Sequence, residues 1–396
     1  MPLNMLQSIK IKNFKSLEDT EITFSKNSFL IGMNGAGKTT ILQAIDFLSA
    51  ISSGEVEEWL EARGWSKKDL TFYGNRKSLI EIEVRFQFGK EKYTWIIRFN
   101  SQSLKCTREI IGKLDVNHDY RVLMSVKIKE FTLYIDNKMT EGKINFKYQG
   151  SILSALKSNI LGDELNSIHK FFNEIRSAEL LSPTLMKKRA RESKNSIGLG
   201  GERLSAFINS LDRGKKEKLE KALKDFFPNI DSFESKSLRS GWKTLSLVEK
   251  HNNKPIKTDS LHLSDGILRI LAILSQLLTT ESVLIFDEIE DGINQEFVEK
   301  LVDTLLDSSH QTIVATHSPL LLNYLDDEVA KESILFVYKT KNGATKVGNF
   351  FEIIAKYQEI SQHEYDLFGA GEIMQRVNLL ELTEKLLQEG DCEDSH

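Results

Sequence analysis

Residues 28–48 read SFLIGMNGAGKTTILQAIDFL. Phe29, Leu30 and Ile31 are three consecutive apolar residues, the pattern of a parallel strand buried on both faces. Gly32 opens G-x-x-x-x-G-K-T, which closes on Gly37, Lys38 and Thr39. Beyond it Ile41, Leu42, Ile45 and Leu48 recur at helical spacing. A glycine-rich loop between a strand and a helix is the setting of a phosphate-binding loop. Gly32, Gly35 and Gly37 let the backbone turn tightly and aim its N–H groups at phosphate oxygens, with Asn34, Ala36 and Thr40 completing the cradle. The helix that starts near Lys38 adds its positive end. Lys38 is expected to reach the β- and γ-phosphates, and the Thr39 hydroxyl to bind Mg²⁺.

Three later stretches supply matching chemistry. VLIFDE at 283–288 is an apolar strand that ends in Asp287 and Glu288. Strands of α/β sheets deliver ligand-binding groups at their C-terminal edge. Asp287 is expected to hold Mg²⁺, and Glu288 to act as general base or to position the water that attacks the γ-phosphate. LSDG at 263–266 opens the helix ILRILAILSQLL. Ser264 or Asp265 caps that helix, and its N-terminus, with Ser264 and Gly266, offers a second anion site. TIVATHSP at 312–319 places His317 just past another apolar strand, within reach of a γ-phosphate.

The remainder of the chain reads as an α/β head. Strand patterns occupy 6–14, 21–24, 79–88, 93–99, 121–127, 130–136 and 143–148, an antiparallel layer distinct from the parallel core. With the phosphate loop these form an N-terminal ATPase lobe over 1–150. Residues 151–176 and 202–227 carry helical periodicity, so 151–240 reads as a helical insertion. The C-terminal lobe, 241–350, alternates strand and helix and ends in a hairpin around Asn342–Gly343. Helices at 351–360 and 372–389 form the tail, 351–396.

Bulk properties exclude several classes. Hydrophobic content of 40% and charged content of 28% over 396 residues describe a globular protein of one large or two medium domains. A net charge of −4 advertises no global basic field, so nucleic-acid contact has to be local. The candidate for DNA or RNA is the run Lys187, Lys188, Arg189, Arg191 and Lys194, interrupted by Glu192. Its alternative is a solvated charged face. Cys106 and Cys392 form no paired motif, which suits a reducing cytoplasm. The apolar run Leu268–Leu278 is too short for a bilayer, and MPLNMLQSIKIKNF lacks a signal-peptide core. No H-x-x-x-H pair is present, so no structural metal is expected.

Phosphate loop, LSDG, hydrophobic-DE and strand-terminal histidine, in that order, resemble the ABC-type ATPase heads of the SMC, RecF and OLD (overcoming lysogenization defect) proteins. The opening IKIKNFKSLEDTEITFSKNSFLIGMNGAGKTTIL is similar to theirs along its whole length. LSDGILRILAIL, FDEIEDGIN and ATHSP most resemble the OLD-like, AAA-family ATPases of bacterial anti-phage defence systems, as do SPTLMKKRARES, GGERLSAFINSL and FGAGE. The resemblance implies a P-loop NTPase head that binds ATP and Mg²⁺ and hydrolyses ATP. It implies a homodimer or higher homo-oligomer in which Ser264 and Gly266 of one subunit close on ATP held by Lys38 of another. Glu290–Asn294 forms the D-loop of that sandwich. It also implies a separately encoded effector of nuclease type. Ile267 follows LSDG where transporters commonly carry glutamine, and no membrane partner helix is evident. There is no heptad arm of SMC length and no room for the Toprim nuclease of full OLD proteins. The Q-loop glutamine is Gln87, Gln102 or Gln149. Two kinds of function fit these residues: an ATPase in defence or in DNA repair, and a slow ATP-gated scaffold that holds its effector.

Overall fold

In the computed structural model, Asn27–Ile31 is buried at all five positions, inside a six-stranded sheet. The structure describes residues 4–393 apart from 74, 76, 115–119, 137, 194, 253, 280, 281 and 358–366. Across the sheet the order is Arg176–Ala178, Val283–Asp287, Gln311–Ala315, Asn27–Ile31, Ile334–Lys339 and Thr345–Asn349. The first five strands are parallel, and the sixth returns antiparallel as a hairpin. Alternate residues feed two cores. Leu30, Ile285, Ile313 and Ala315 pack on one face with the phosphate-loop helix Lys38–Ser53. Phe29, Ile31, Phe286 and Val314 pack on the other with the helices Asp265–Gln276 and Gln295–Leu306. Burial on both faces is why these strands read as unbroken apolar runs.

Register then decides where the polar residues emerge. Leu30 pairs with Ala315, and Ala315 with Asp287, in one row across three strands. Gly32 and His317 each lie two residues past that row, and Glu288 lies one past it. Every one of the strand-end groups therefore leaves the sheet at the same edge.

The antiparallel layer is an eight-stranded sheet in the order Leu17–Thr23, Met5–Phe14, Leu79–Phe88, Glu91–Asn100, Lys105–Leu114, Tyr120–Lys127, Glu130–Ile135 and Lys138–Lys143. Gln311 ties it to the core sheet. Its fully buried amide accepts from Leu6 N at 2.8 Å and donates to Leu6 O at 2.8 Å and Ser25 O at 2.9 Å. That completes a strand-like hydrogen-bond pattern between two sheets that do not otherwise pair there.

Several expected boundaries move. The second strand begins at Leu17 rather than 21, and the eighth runs Lys138–Lys143 where 143–148 was expected, because Ile135 pairs directly with Lys138. The helix expected over 151–176 is a short turn, Ile152–Ser154, and a helix, Ser158–Asn173, that is broken where Gly162 takes φ 70°. The pattern at 202–227 is two helices, Leu204–Ser210 and Arg213–Phe226. Asp212 caps the second by accepting from Lys215 N at 2.9 Å. The segment 151–240 is also not purely helical. It gives Arg176–Ala178 to the core sheet and Ile230–Ser237 to a three-stranded sheet with Lys243–His251 and Lys254–Asp259. In the tail, 372–389 is divided into Ala370–Arg376 and Leu379–Glu393. The helix Phe350–Tyr357 replaces 351–360, whose last three residues lie outside the described set.

One buried acid makes stability depend on pH. Glu109, on Lys105–Leu114, is fully buried and accepts from Ser151 Oγ at 2.5 Å and Ile152 N at 2.9 Å. Burial pushes its carboxyl up to about 7, against the downward pull of those hydrogen bonds. The folded chain keeps a proton there that the unfolded chain releases near 4.5. Its stabilising contribution is therefore complete below pH 4.5 and lost as pH rises through about 7. Glu109→Gln retains the shape without the titration. Thermal unfolding followed across pH 4 to 8 should show a shallower decline in Tm for the variant over that window, on the order of a few degrees in total; parallel curves would refute this origin.

Candidate functional site

The phosphate loop is pressed against the hairpin beside it. Gly37 has φ 112°, and a Cβ there would lie 2.1 Å from Thr345 Oγ1. The Thr345 hydroxyl donates to Ala36 O at 2.9 Å, which fixes the loop from below. Gly32 is equally confined, since its Cβ would fall 2.1 Å from Val337 O. No side chain is compatible with this approach, which explains glycine at both ends of the motif. Lys38 is 5% exposed, and its ammonium donates to Gly32 O at 3.0 Å and Met33 O at 3.2 Å. Burial draws its pKa down to about 8, although Asp287 and Glu288 pull the other way.

Thr39 and Asp287 meet. The Thr39 hydroxyl donates to Asp287 Oδ2 at 2.8 Å, joining residues 248 positions apart. Burial raises the Asp287 carboxyl above its ordinary value, against the hydrogen bond from Thr39. Two oxygens this close are hard donors of the kind Mg²⁺ takes, and Thr39 and Asp287 would hold it together. A site with few protein ligands is what Mg²⁺ shared with a phosphate chain requires.

Glu288 sits just past the strand in the left-handed region, at φ 48°, with its N–H donating to Ala315 O at 2.9 Å. A non-glycine residue in that conformation is held there by its surroundings. His317 Nε2 lies 3.6 Å from Glu288 Oε1. Burial and the nearby Lys38 lower the imidazole below its usual value, so it is neutral near pH 7. Behind it, Thr316 donates to the Glu290 carboxylate, whose pKa is raised by burial.

Asn34, Gly35, Gly37, Lys38, Thr39, Thr40, Asp287, Glu288 and His317 line one cleft of about 1550 Å³. Gly32 and Ala36 shape the loop from beneath, Ala36 with its side chain in the core. Ser264 and Gly266 do not line this cleft. Ser264 is exposed at the N-cap of Asp265–Gln276 and accepts from Ile267 N at 3.4 Å. Gly266 packs on the turn that follows Glu288, where a Cβ would lie 2.9 Å from Gly292 O, and Arg269 pairs with Asp291 at 2.9 Å. Of the three glutamines, Gln102 lines the cleft. Gln87 donates to Gly89 O, and Gln149 accepts from Glu57 N.

Residues the motifs do not reveal extend the cleft. Lys15 lies 3.5 Å over the Trp65 ring and donates to Gln43 at 2.7 Å. Gln43 in turn donates to Glu179, a buried acid shared with Arg63. Only the last helical turns of the phosphate-loop segment hint at this cluster, through a glutamine and an aspartate, Gln43 and Asp46, within an otherwise apolar pattern.

The depressed Lys38 pKa gives nucleotide binding a pH dependence. Above about pH 8 the empty site holds a neutral amine, and phosphate binding has to recruit a proton. ATP affinity, measured by calorimetry, should fall by up to about tenfold per pH unit above that point. Lys38→Ala should bind ATP weakly at every pH and remove the slope. An affinity independent of pH between 7 and 9.5 in the unaltered protein would contradict this assignment.

Residues 28–323 match the family model described as AAA domain, putative AbiEii toxin, Type IV TA system. The DNA replication and repair protein RecF of Clostridioides difficile (strain 630) is 26% identical over 356 residues, 81% of this chain and 89% of that protein. An ATP/GTP phosphatase of Helicobacter pylori is 21% identical over 398 residues, 92% of this chain and 100% of that protein. Among solved structures, the SmcHead bound to the C-winged helix domain of ScpA shares the fold, with a TM-score of 0.52 at 16% identity, over 88% of this chain and 99% of that one. The chain belongs to the family described as AAA domain, putative AbiEii toxin, Type IV TA system, and is an ABC-type ATPase of the SMC, RecF and OLD superfamily.

Proposed function

We propose that the chain binds ATP with Mg²⁺ in the cleft, hydrolyses it, and pairs with a second copy to complete the site. One arrangement carries this reading. Thr39, Asp287, Glu288 and His317 gather around Lys38, whereas exposed Ser264 and half-buried Gly266 stand outside the cleft. Thr39 and Asp287 would hold Mg²⁺, which would supply positive charge against the β- and γ-phosphates. Lys38 exchanges its two carbonyl partners for phosphate oxygens. Glu288 accepts the proton of the attacking water, and neutral His317 donates a hydrogen bond to the γ-phosphate. ADP and phosphate leave.

In the cell, we place this ATPase as the sensor subunit of a bacterial anti-phage defence system, controlling a separately encoded nuclease-type effector. LSDGILRILAIL, FDEIEDGIN and ATHSP support that placement. A second reading, direct action on DNA in repair, is supported by the similarity to RecF and by exposed Lys188 and Arg189. Of the remaining basic run, Lys187 is paired with Asp265 of the signature at 3.0 Å, and Arg191 lies 4.8 Å over Trp242. Lys194 lies outside the described residues. A third reading, a slow ATP-gated scaffold, uses the same site and differs only in turnover. No described helix is long and apolar enough to cross a membrane. Buried, unpaired Cys106 is compatible with a cytoplasmic setting.

Glu288→Gln should bind ATP, hydrolyse it at least about a hundredfold more slowly, and accumulate as a dimer or a multiple of it in Mg·ATP, read by light scattering. Ser264→Arg, a change at an exposed cap, should fold normally and lose both ATP-dependent assembly and hydrolysis. Normal hydrolysis by Ser264→Arg would leave LSDG as a helix cap and end the sandwich reading.

A further inference from the structure

Glu288 and His317 enter the nucleotide cleft from the ends of two different strands, Val283–Asp287 and Gln311–Ala315. Sheet pairing alone does not set how close they stand. The ladder between these strands ends at Asp287 and Ala315, before either group is reached. Past it the backbone adds one cross-link, from Glu288 N to Ala315 O at 2.9 Å. Thr316 N–H instead donates to Leu30 O at 3.1 Å, on the strand Asn27–Ile31. Among the described residues, no backbone hydrogen bond ties His317 to the turn that follows Glu288.

A side chain closes that gap. The turn reverses tightly, with Asp291 N donating to Glu288 O at 3.0 Å and Ile293 N to Glu290 O at 3.1 Å. The Glu290 carboxylate reaches back to the strand ends and accepts from the Thr316 hydroxyl. Thr316 has no exposed surface, and the same hydroxyl accepts from Ser318 N at 2.9 Å. One hydroxyl thus joins the turn after Glu288 to the residues on both sides of His317. Its single proton goes to Glu290 and a lone pair takes the Ser318 N–H, so its rotation is fixed from two directions.

Stability does not explain this arrangement. Glu290 Oε2 is buried with no hydrogen-bond partner. Burial raises the carboxyl above its ordinary value; the hydrogen bond from Thr316 and the nearby N–H groups of His317 and Ser318 pull it down, and none of them satisfies Oε2. A half-satisfied buried carboxylate is unfavourable, and an apolar side chain of that size would be more stable there. What the carboxylate supplies is the link across to Thr316.

We propose that Glu290 and Thr316 are a pair of positioning residues for hydrolysis. Their hydrogen bond braces the His317 turn against the Glu288 turn and holds His317 Nε2 at its 3.6 Å from Glu288 Oε1. It so sets where the base and the imidazole meet the γ-phosphate. The pair rests on the cleft being the site of ATP hydrolysis. Neither Glu290 nor Thr316 lines the cleft, so losing their link should act on turnover and spare nucleotide binding.

Steady-state ATP hydrolysis by the full chain, resolved into kcat and KM, tests the pair. Thr316→Val, of the same shape without the hydroxyl, should lower kcat by about tenfold to a hundredfold and leave KM within about twofold. Thr316→Ser, which keeps the hydroxyl, should recover most of that loss. Glu290→Leu removes the half-satisfied acceptor; it should fold and lose kcat to a similar extent, although the contact between Thr316 and Ser318 survives in it. The double variant Thr316→Val/Glu290→Leu should be no slower than the slower single variant, because both changes remove one link. A kcat within about twofold of the unaltered protein in folded Thr316→Val, or in Glu290→Leu should Thr316→Val not fold, overturns the proposal. So do losses that multiply in the double variant, or a Thr316→Ser protein as slow as Thr316→Val. Glu288→Gln, assayed beside them, separates the two readings. Hydrolysis retained there sinks the cleft assignment and the pair with it, whereas hydrolysis lost there with Thr316→Val at full rate removes the pair alone.

Discussion

Parallel pairing of three strands in one register is the constraint on which the site depends. Leu30, Ala315 and Asp287 lie side by side. A slip of one residue in either pairing would turn an apolar side chain toward the opposite core and move the strand-end groups out of line. Asp287 would then no longer meet the Thr39 hydroxyl at 2.8 Å. The register is held by burial on both faces, because alternate residues of each strand belong to different cores. Stability of the core and alignment of the chemistry are thus one property of the sheet, and the same residues supply both.

The cost of that alignment appears locally. Glu288 is held in a left-handed conformation, Gly32 and Gly37 have no room for a side chain, and Lys38 is buried against backbone carbonyls. Each is unfavourable by itself, and the surrounding sheet over-determines it. The buried ammonium is also incompletely satisfied by two carbonyls, since a lysine offers three donors. A phosphate chain answers that deficit, and so binding and the strained loop are complementary.

Legibility of the sequence followed the range of the interactions involved. The strand–loop–helix over 28–48 and the strands at 283–287 and 311–315 are local patterns, and they stand where the residues place them. The alternating strands at 79–88 and 93–99 belong to the antiparallel layer as expected. Arg176–Ala178 was illegible because three residues carry no period. Its place beside Val283–Asp287 is decided by packing alone. Helical runs over 151–176 and 202–227 concealed their breaks, since Gly162 and Asp212 each suit a helix terminus as well as an interior turn. The cluster of Lys15, Gln43, Arg63 and Glu179 joins four distant segments, and no spacing announces it. Nor does the basic run at 187 reveal that its first lysine is tied to Asp265 of the signature.

If the chemistry of one chain is finished by the signature of another, two inactive proteins should complement each other when mixed. Lys38→Ala keeps an intact signature, and Ser264→Arg keeps an intact phosphate loop. In a head-to-tail pair of the two, one site joins the sound halves and the other joins the damaged ones. Equal mixing should restore ATP hydrolysis to at most about half of the unaltered rate, because each mixed pair carries one working site of two. A mixture as inactive as its components would contradict the account.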